Sequence, residues 1–192
     1  MRPAIFLDKD GTLLVDEPYN VDPAKMRPAP GLAEGLSELA ALHVPLIVVS
    51  NQPGIALGKF AVADLYRVQE RLEKFFVEAG ATLEAFYFCP HHPHGIVVAH
   101  SHVCMCRKPA PGLLLAAARQ HGIDLSRSWM IGDILDDVEA GRRAGCETVL
   151  IDNGNETQWK TSRWRLPRYC AKDFAEAGRF VAEAMQAQEA AT

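Results

Sequence analysis

Short apolar runs punctuate this chain, and most of them end on a polar residue. Ala4-Ile5-Phe6-Leu7 runs into Asp8, Leu46-Ile47-Val48-Val49 into Ser50, Trp129-Met130-Ile131 into Gly132-Asp133, and Thr148-Val149-Leu150-Ile151 into Asp152. Runs this short, apolar on both faces, predict buried parallel strands. Ala85-Phe86-Tyr87-Phe88, before Cys89, is a fifth. Between the runs the spacing turns helical. Leu32, Leu36, Leu39 and Ala40 share a face after Pro30-Gly31, and Leu65, Val68, Leu72, Phe75, Phe76 and Ala79 share another up to Gly80. A helix over 113–121 is entered at Pro111 and ended at Gly122. Another over 138–144 ends at Gly145, and Phe174, Ala177, Val181 and Met185 mark a last helix whose end, 186–192, is expected to fray. Alternating strand and helix predicts an α/β fold: a doubly wound, mainly parallel, Rossmann-like sheet with right-handed crossovers. No repeat or linker divides the 192 residues, so a single domain over 1–192 is expected.

Composition narrows the class. With 48% hydrophobic and 23% charged residues the chain is ordinarily globular, which argues against disorder, collagen and coiled coil. The formal charge of −4 gives no footprint for nucleic acid. No apolar run approaches the roughly 18 residues that cross a bilayer, and the stretch before Asp8 is too short for a signal peptide. The five cysteines are an odd set, Cys89, Cys104, Cys106, Cys146 and Cys170, and three fall within 89–106. That pattern suits metal coordination in a reducing compartment better than disulfides. A cytoplasmic protein is expected.

The strand ends carry the chemistry. Asp8, Ser50 and Asp133 each follow a strand, and open α/β sheets bind ligands outside the carboxyl ends of their strands. Asp8-Lys9-Asp10-Gly11-Thr12 sets two carboxylates two residues apart. It is not a calcium loop, because Leu13 and Tyr19 occupy the positions that would need Gly and Glu. Asp133, Asp136 and Asp137 bring more acids to the same crevice. Such acids repel one another unless a hard cation lies between them, and magnesium fits. Lys108, with Ser50-Asn51 across the crevice, adds a positive charge and donors suited to a transferring phosphoryl group. One acid can attack phosphorus, while a second protonates the leaving oxygen and later deprotonates water.

Taken in order, Phe6-Leu7-Asp8-Lys9-Asp10-Gly11-Thr12, Val48-Val49-Ser50-Asn51-Gln52, Arg107-Lys108-Pro109, and Gly132-Asp133 with Asp137 resemble the motifs of the haloacid dehalogenase-like phosphatase superfamily. The resemblance covers nearly the whole chain. It implies Asp8 as nucleophile, Asp10 as general acid/base, and Ser50, Asn51, Arg107 and Lys108 on the phosphate. It also implies magnesium held by Asp8, the Asp10 carbonyl and Asp133, with Asp136 and Asp137 in support.

Cys89-Pro90-His91 and Cys104-Met105-Cys106 form a Cys-x-His and a Cys-x-Cys pair. Three thiolates and one imidazole close a tetrahedral zinc shell and leave no place for a reactive water, so the zinc is structural. Its expected work is to fold the 92–103 loop and pin Arg107-Lys108. Spacing alone leaves the histidine open among His91, His92, His94, His100 and His102. The cluster resembles that of bacterial D-glycero-D-manno-heptose-1,7-bisphosphate 7-phosphatases, which implies Cys89, His91, Cys104 and Cys106 as ligands. Asn51-Gln52-x-Gly54-Ile55-Ala56-x-Gly58-Lys59-Phe60 resembles that family too. Pro53 stands where the family usually has Ser, Leu57 where it has Arg, and Ile134 where it often has Lys.

The expected function is therefore a monomeric, magnesium-dependent phosphatase that removes the 7-phosphate of heptose 1,7-bisphosphate through an aspartyl-phosphate, for lipopolysaccharide or capsule heptose. Its partner is a small phosphorylated sugar, with no membrane and no nucleic acid. Histidinol-phosphate phosphatases, with a similar but usually shorter zinc loop, give the alternative enzyme. A catalytically silent zinc-stabilised binding module is the alternative of another class, although a binder has no need of both Asp8 and Asp10. Cys146 and Cys170 are expected to be small buried hydrophobes. Trp159-Lys160, Arg163-Trp164-Arg165 and Arg168 are expected to pack on the last helix or to form a self-association patch.

Overall fold

The structure is a computed structural model that describes residues 1–190. Among the described residues six strands form one sheet: β1 (Ile5–Leu7), β2 (Leu46–Asn51), β3 (Leu83–Cys89), β4 (Trp129–Gly132), β5 (Glu147–Ile151) and β6 (Tyr169–Ala171). Their order is β3-β2-β1-β4-β5-β6, and every neighbouring pair is parallel. Among the described residues five α-helices complete the fold: α1 (Leu32–Ala40), α2 (Asp64–Glu78), α3 (Gly112–His121), α4 (Leu135–Ala144) and α5 (Phe174–Ala190). The doubly wound α/β sheet expected from the hydrophobic pattern is the one observed.

The central strands β1, β2 and β4 supply both faces of the core, because successive side chains point to opposite sides. Ile5, Leu7, Leu46, Val48, Trp129 and Ile131 join the buried residues of α1, α2 and α5 on one face. Phe6, Ile47, Val49 and Met130 join Leu113, Leu114, Ala117 and Ala140 of α3 and α4 on the other. Two apolar faces per strand explain the continuous apolar runs. Helix ends follow their punctuation: Gly122 and Gly145 adopt left-handed backbone after α3 and α4.

Two differences arise at the far edge. β6 was not expected; it is three residues long, and pairing with β5, not periodicity, makes it a strand. As the edge strand it turns alternate side chains to solvent, so Cys170 is exposed, whereas Cys146 is buried as expected. α5 also remains helical through Ala190, so 186–190 is not frayed; residues 191 and 192 of the segment expected to fray lie outside the described residues. Among the described residues no helix is long and apolar enough to cross a membrane.

β1 lies at the centre between β2 and β4. The chain therefore leaves β1, β2 and β4 at adjacent points along one rim of the sheet. Asp8, Ser50-Asn51 and Asp133 meet there because of strand order, not because of their spacing in sequence.

Candidate active site

A crevice of about 220 Å³ opens at this rim, with Asp8, Asp10, Asn51, Lys108, Asp133 and Asp137 among its walls. Gly11 makes the turn out of β1 possible. Its φ is +83°, and a Cβ there would lie 2.0 Å from Asp133 Oδ2, a place only glycine can occupy. The Asp8 amide donates to Ile131 O at 3.0 Å, tying the end of β1 to β4.

Lys108 is 2% exposed and sits at the floor of the crevice. Its ammonium donates to Asp8 Oδ1 and, at 2.9 Å, to Val49 O, and lies 2.6 Å from Asp137 Oδ1. Asn51 fixes the Lys108 backbone from both sides: its Oδ1 accepts from Lys108 N at 3.0 Å, and its Nδ2 donates to Lys108 O at 3.1 Å. Asp10 accepts from Lys9 Nζ at 2.6 Å and from Gln52 Nε2 at 3.0 Å. Asp133 accepts from Thr12 Oγ1 at 3.1 Å and from Asn155 Nδ2 at 2.8 Å.

Electrostatics show what this arrangement lacks. Asp8, Asp133 and Asp137 are all buried and offer oxygens within 4.8 Å of one another, with the one ammonium of Lys108 among them. Burial pushes the Asp8 carboxyl well above the ordinary carboxylate range; Lys108 opposes this, while Asp137, Asp133 and Asp10 add to it. Asp133 is pushed up to about 7, first by burial and then by Asp137, against the hydrogen bonds from Asn155 and Thr12. Burial alone would lower the Lys108 pKa, but Asp137 and Asp8 outweigh it and raise it, so the ammonium stays charged. Three buried acids against one base do not all ionise readily by themselves, and their clustered oxygens match the ligands of a hard divalent cation.

The second cluster lies at the end of β3. Cys89 Sγ is 3.5 Å from Cys104 Sγ and 3.2 Å from Cys106 Sγ, and Cys104 and Cys106 are 3.3 Å apart. His91 Nδ1 lies 3.2 Å from Cys106 Sγ and 3.6 Å from Cys89 Sγ. These separations exceed the S–S bond of about 2.05 Å and suit the edges of a small tetrahedron. All three cysteines are free, so the donor set fits zinc. Burial raises the thiol of Cys89; burial also raises that of Cys104, but hydrogen bonds from Cys106, the Arg107 amide and Cys89 outweigh it and leave Cys104 lowered. Between the pairs, the 92–103 loop exposes Ile96, Val98 and Val103, and its amides at Ile96 and Val97 reach Ala56 O. It has little apolar anchorage of its own.

A HAD-hydrolase-like family model matches residues 105–177. The D-glycero-β-D-manno-heptose-1,7-bisphosphate 7-phosphatase of Escherichia coli K12 is 40% identical over 153 residues, covering 79% of this chain and 80% of that one. The chain belongs to this family of HAD-like phosphatases. A HAD-like phosphatase from Mesorhizobium loti shares its fold at a TM-score of 0.84 and 32% identity, over 97% of this chain and 87% of that one. The D,D-heptose 1,7-bisphosphate phosphatase of B. bronchiseptica, complexed with magnesium and phosphate, gives 0.77 at 26% identity, over 95% and 99%.

Against the family motifs, the crevice gathers Asp8, Asp10, Asn51, Lys108 and Asp133. Ser50 lies beneath, 1% exposed, its Oγ accepting from Gln52 Nε2 at 2.8 Å. Arg107 is half-buried beside His92 and is not among the crevice walls. Asp136 does not reach the acidic cluster; it binds Arg165 at 2.5 Å. Arg165 in turn faces α4, not the last helix, because Glu139 and Asp136 offer it two carboxylates. Gln52, Asn153 and Asn155 join the site beyond the residues expected from the motifs. Gln52 stands inside a quoted motif, but Asn153 and Asn155 follow β5 in a polar stretch with no signal of their own.

Proposed function

We propose that this chain hydrolyses the 7-phosphate of D-glycero-β-D-manno-heptose 1,7-bisphosphate through an aspartyl-phosphate on Asp8, with magnesium in the crevice and zinc in the Cys/His cluster. The observation that carries the reading is the buried Asp8 carboxylate held against Lys108, with Asp133 and Asp137 beside it and Asp10 two residues on. The names of the curated relatives support the sugar and its anomer.

In this reading Asp8, Asp133 and the Asp10 carbonyl would hold the magnesium, which would supply positive charge at the crevice and keep Asp8 ionised. An Asp8 oxygen attacks phosphorus as the bond to the sugar oxygen breaks, and Asp10 gives that oxygen its proton. Asp10 then takes a proton from water, whose oxygen attacks phosphorus, releasing phosphate and restoring Asp8. Gln52 and Lys9 hold Asp10 at the crevice edge for both transfers. Lys108 meets the charge that builds on the phosphoryl oxygens, and the two Asn51 bonds keep its backbone from yielding. Ser50 and Arg107 are assigned to the phosphate by the family motifs. Cys89, His91, Cys104 and Cys106 would hold zinc, which would tie down the 92–103 loop and the entry to Arg107-Lys108.

The decisive experiment measures phosphate release from both anomers of heptose 1,7-bisphosphate and from histidinol phosphate, with wild type and Asp8→Asn. The β anomer is expected to turn over fastest, and Asp8→Asn to lose at least about a thousandfold. Preference for histidinol phosphate would replace the substrate assignment. Full activity in Asp8→Asn would end the mechanism.

A further inference from the structure

Resting on that reading of the metal site, we infer that Asn155 is a positioning residue for the Asp133 carboxylate, carried on a strap between β5 and β6 that Glu156 and Arg165 latch to α4. The two Asp133 oxygens take donors from different parts of the chain. Oδ1 accepts from Thr12, in the turn after β1, and Oδ2 accepts from Asn155, in the connection after β5. With one donor on each oxygen, rotation of the carboxylate about its Cβ–Cγ bond breaks at least one hydrogen bond. Asp133 itself lines the crevice.

The strap touches the site at three neighbouring points. Asn153 Nδ2 donates to Gly11 O at 2.7 Å, on the turn that carries Asp10. Asn155 reaches Asp133, and its Nδ2 lies 2.5 Å from where a Cβ on Gly11 would be, so turn, carboxylate and amide are packed as one group. Glu156 Oε2 accepts from Leu135 N, at the start of α4, at 2.7 Å. Further along, the Arg165 fork spans α4: Nε donates to Glu139 Oε2 at 2.6 Å and Nη2 to Asp136 Oδ1 at 2.5 Å. A planar fork on two carboxylates fixes direction as well as distance.

Beyond these contacts the strap is held at its two ends, where Asp152 N donates to Ala171 O and Arg168 N to Thr148 O, both at 2.8 Å. Residues 152–155 and 157–163 are exposed, Trp159 and Leu166 being 54% and 58% accessible. It contributes no side chain to either face of the core. Its side-chain hydrogen bonds to the rest of the chain go to the Gly11 turn, to Asp133 and to α4, so its effect is on where Asp133 points.

The test uses the full zinc-loaded chain and a magnesium chloride series, read as the rise in Tm and, separately, as turnover of the sugar phosphate. In Asn155→Ala the magnesium concentration for half effect is expected to rise by about ten- to a hundredfold in both readouts, the range for losing a partner of a metal-ligating carboxylate. KM for the sugar phosphate is expected to hold, and kcat to recover at saturating magnesium. Arg165→Met is expected to shift the magnesium midpoint in the same direction, and the double variant no further than Asn155→Ala, because both act through one strap. A midpoint in Asn155→Ala within about twofold of wild type, or a raised KM at an unchanged midpoint, overturns the inference. Additive losses overturn the latch. If wild type itself shows no magnesium response, the metal reading falls; if wild type responds and Asn155→Ala matches it, only the strap falls.

Discussion

Asp133→Asn is expected to stabilise the magnesium-free protein while abolishing its response to magnesium. Without bound metal the pKa of Asp133 is raised from 3.8 to about 7, chiefly by burial and next by Asp137. A carboxyl whose folded pKa lies above its unfolded value costs nothing below the unfolded value. The cost grows as pH rises between the two and is constant above the folded one. The rise of about three units corresponds to about 4 kcal/mol at pH 8, at about 1.4 kcal/mol per unit, and to about 1.5 kcal/mol at pH 5. An asparagine removes that cost but keeps one acceptor where Thr12 and Asn155 both donate, a loss of about 1 kcal/mol. The net gain is then about 3 kcal/mol at pH 8 and close to zero at pH 5. For a chain of 192 residues this is a Tm rise of about 6–12 °C at pH 8. Thermal melts of zinc-loaded wild type and variant, in magnesium-free buffer from pH 5 to pH 8, read it directly. Wild type should lose Tm across that range relative to the variant and regain it when magnesium is added. Parallel wild-type and variant curves, or a variant that is less stable at pH 8, would refute the claim that the acid cluster carries uncompensated charge.

Other expectations follow from the same geometry. Lys108→Met leaves Asp8 and Asp137 without their ammonium and should cost about 3–5 kcal/mol in denaturant melts at pH 7 without magnesium, and at least about a hundredfold in kcat. Gly11→Ala meets both a φ of +83° and Asp133 Oδ2, and should lower Tm and the affinity for magnesium together, checked by melts across a magnesium series. Cys106→Ser removes a sulfur that lies against each of the other three zinc-site residues. Metal analysis should find its zinc lost, and proteolysis should open first in the 92–103 loop.

The hydrophobic pattern by itself determined the strands and helices of the core. A buried parallel strand must be apolar on both faces and an amphipathic helix on one, and this chain keeps both rules wherever the core is deep. The strand-end acids, Lys108 and the Cys/His pairs were legible for a related reason: each stands at a boundary where an apolar run or a turn ends. Strand order was decided only by the tertiary structure, and it brings Asp8, Asp133 and Asp137 within 4.8 Å. So were the partners. Asn51 spends its amide on the Lys108 backbone, Asp136 turns to Arg165, and Asn155 crosses from the far side of β5 to Asp133. Such pairings depend on where polar groups lie in space once the core has closed. No periodicity marks them, and β6, three residues long and exposed at Cys170, escaped for the same reason.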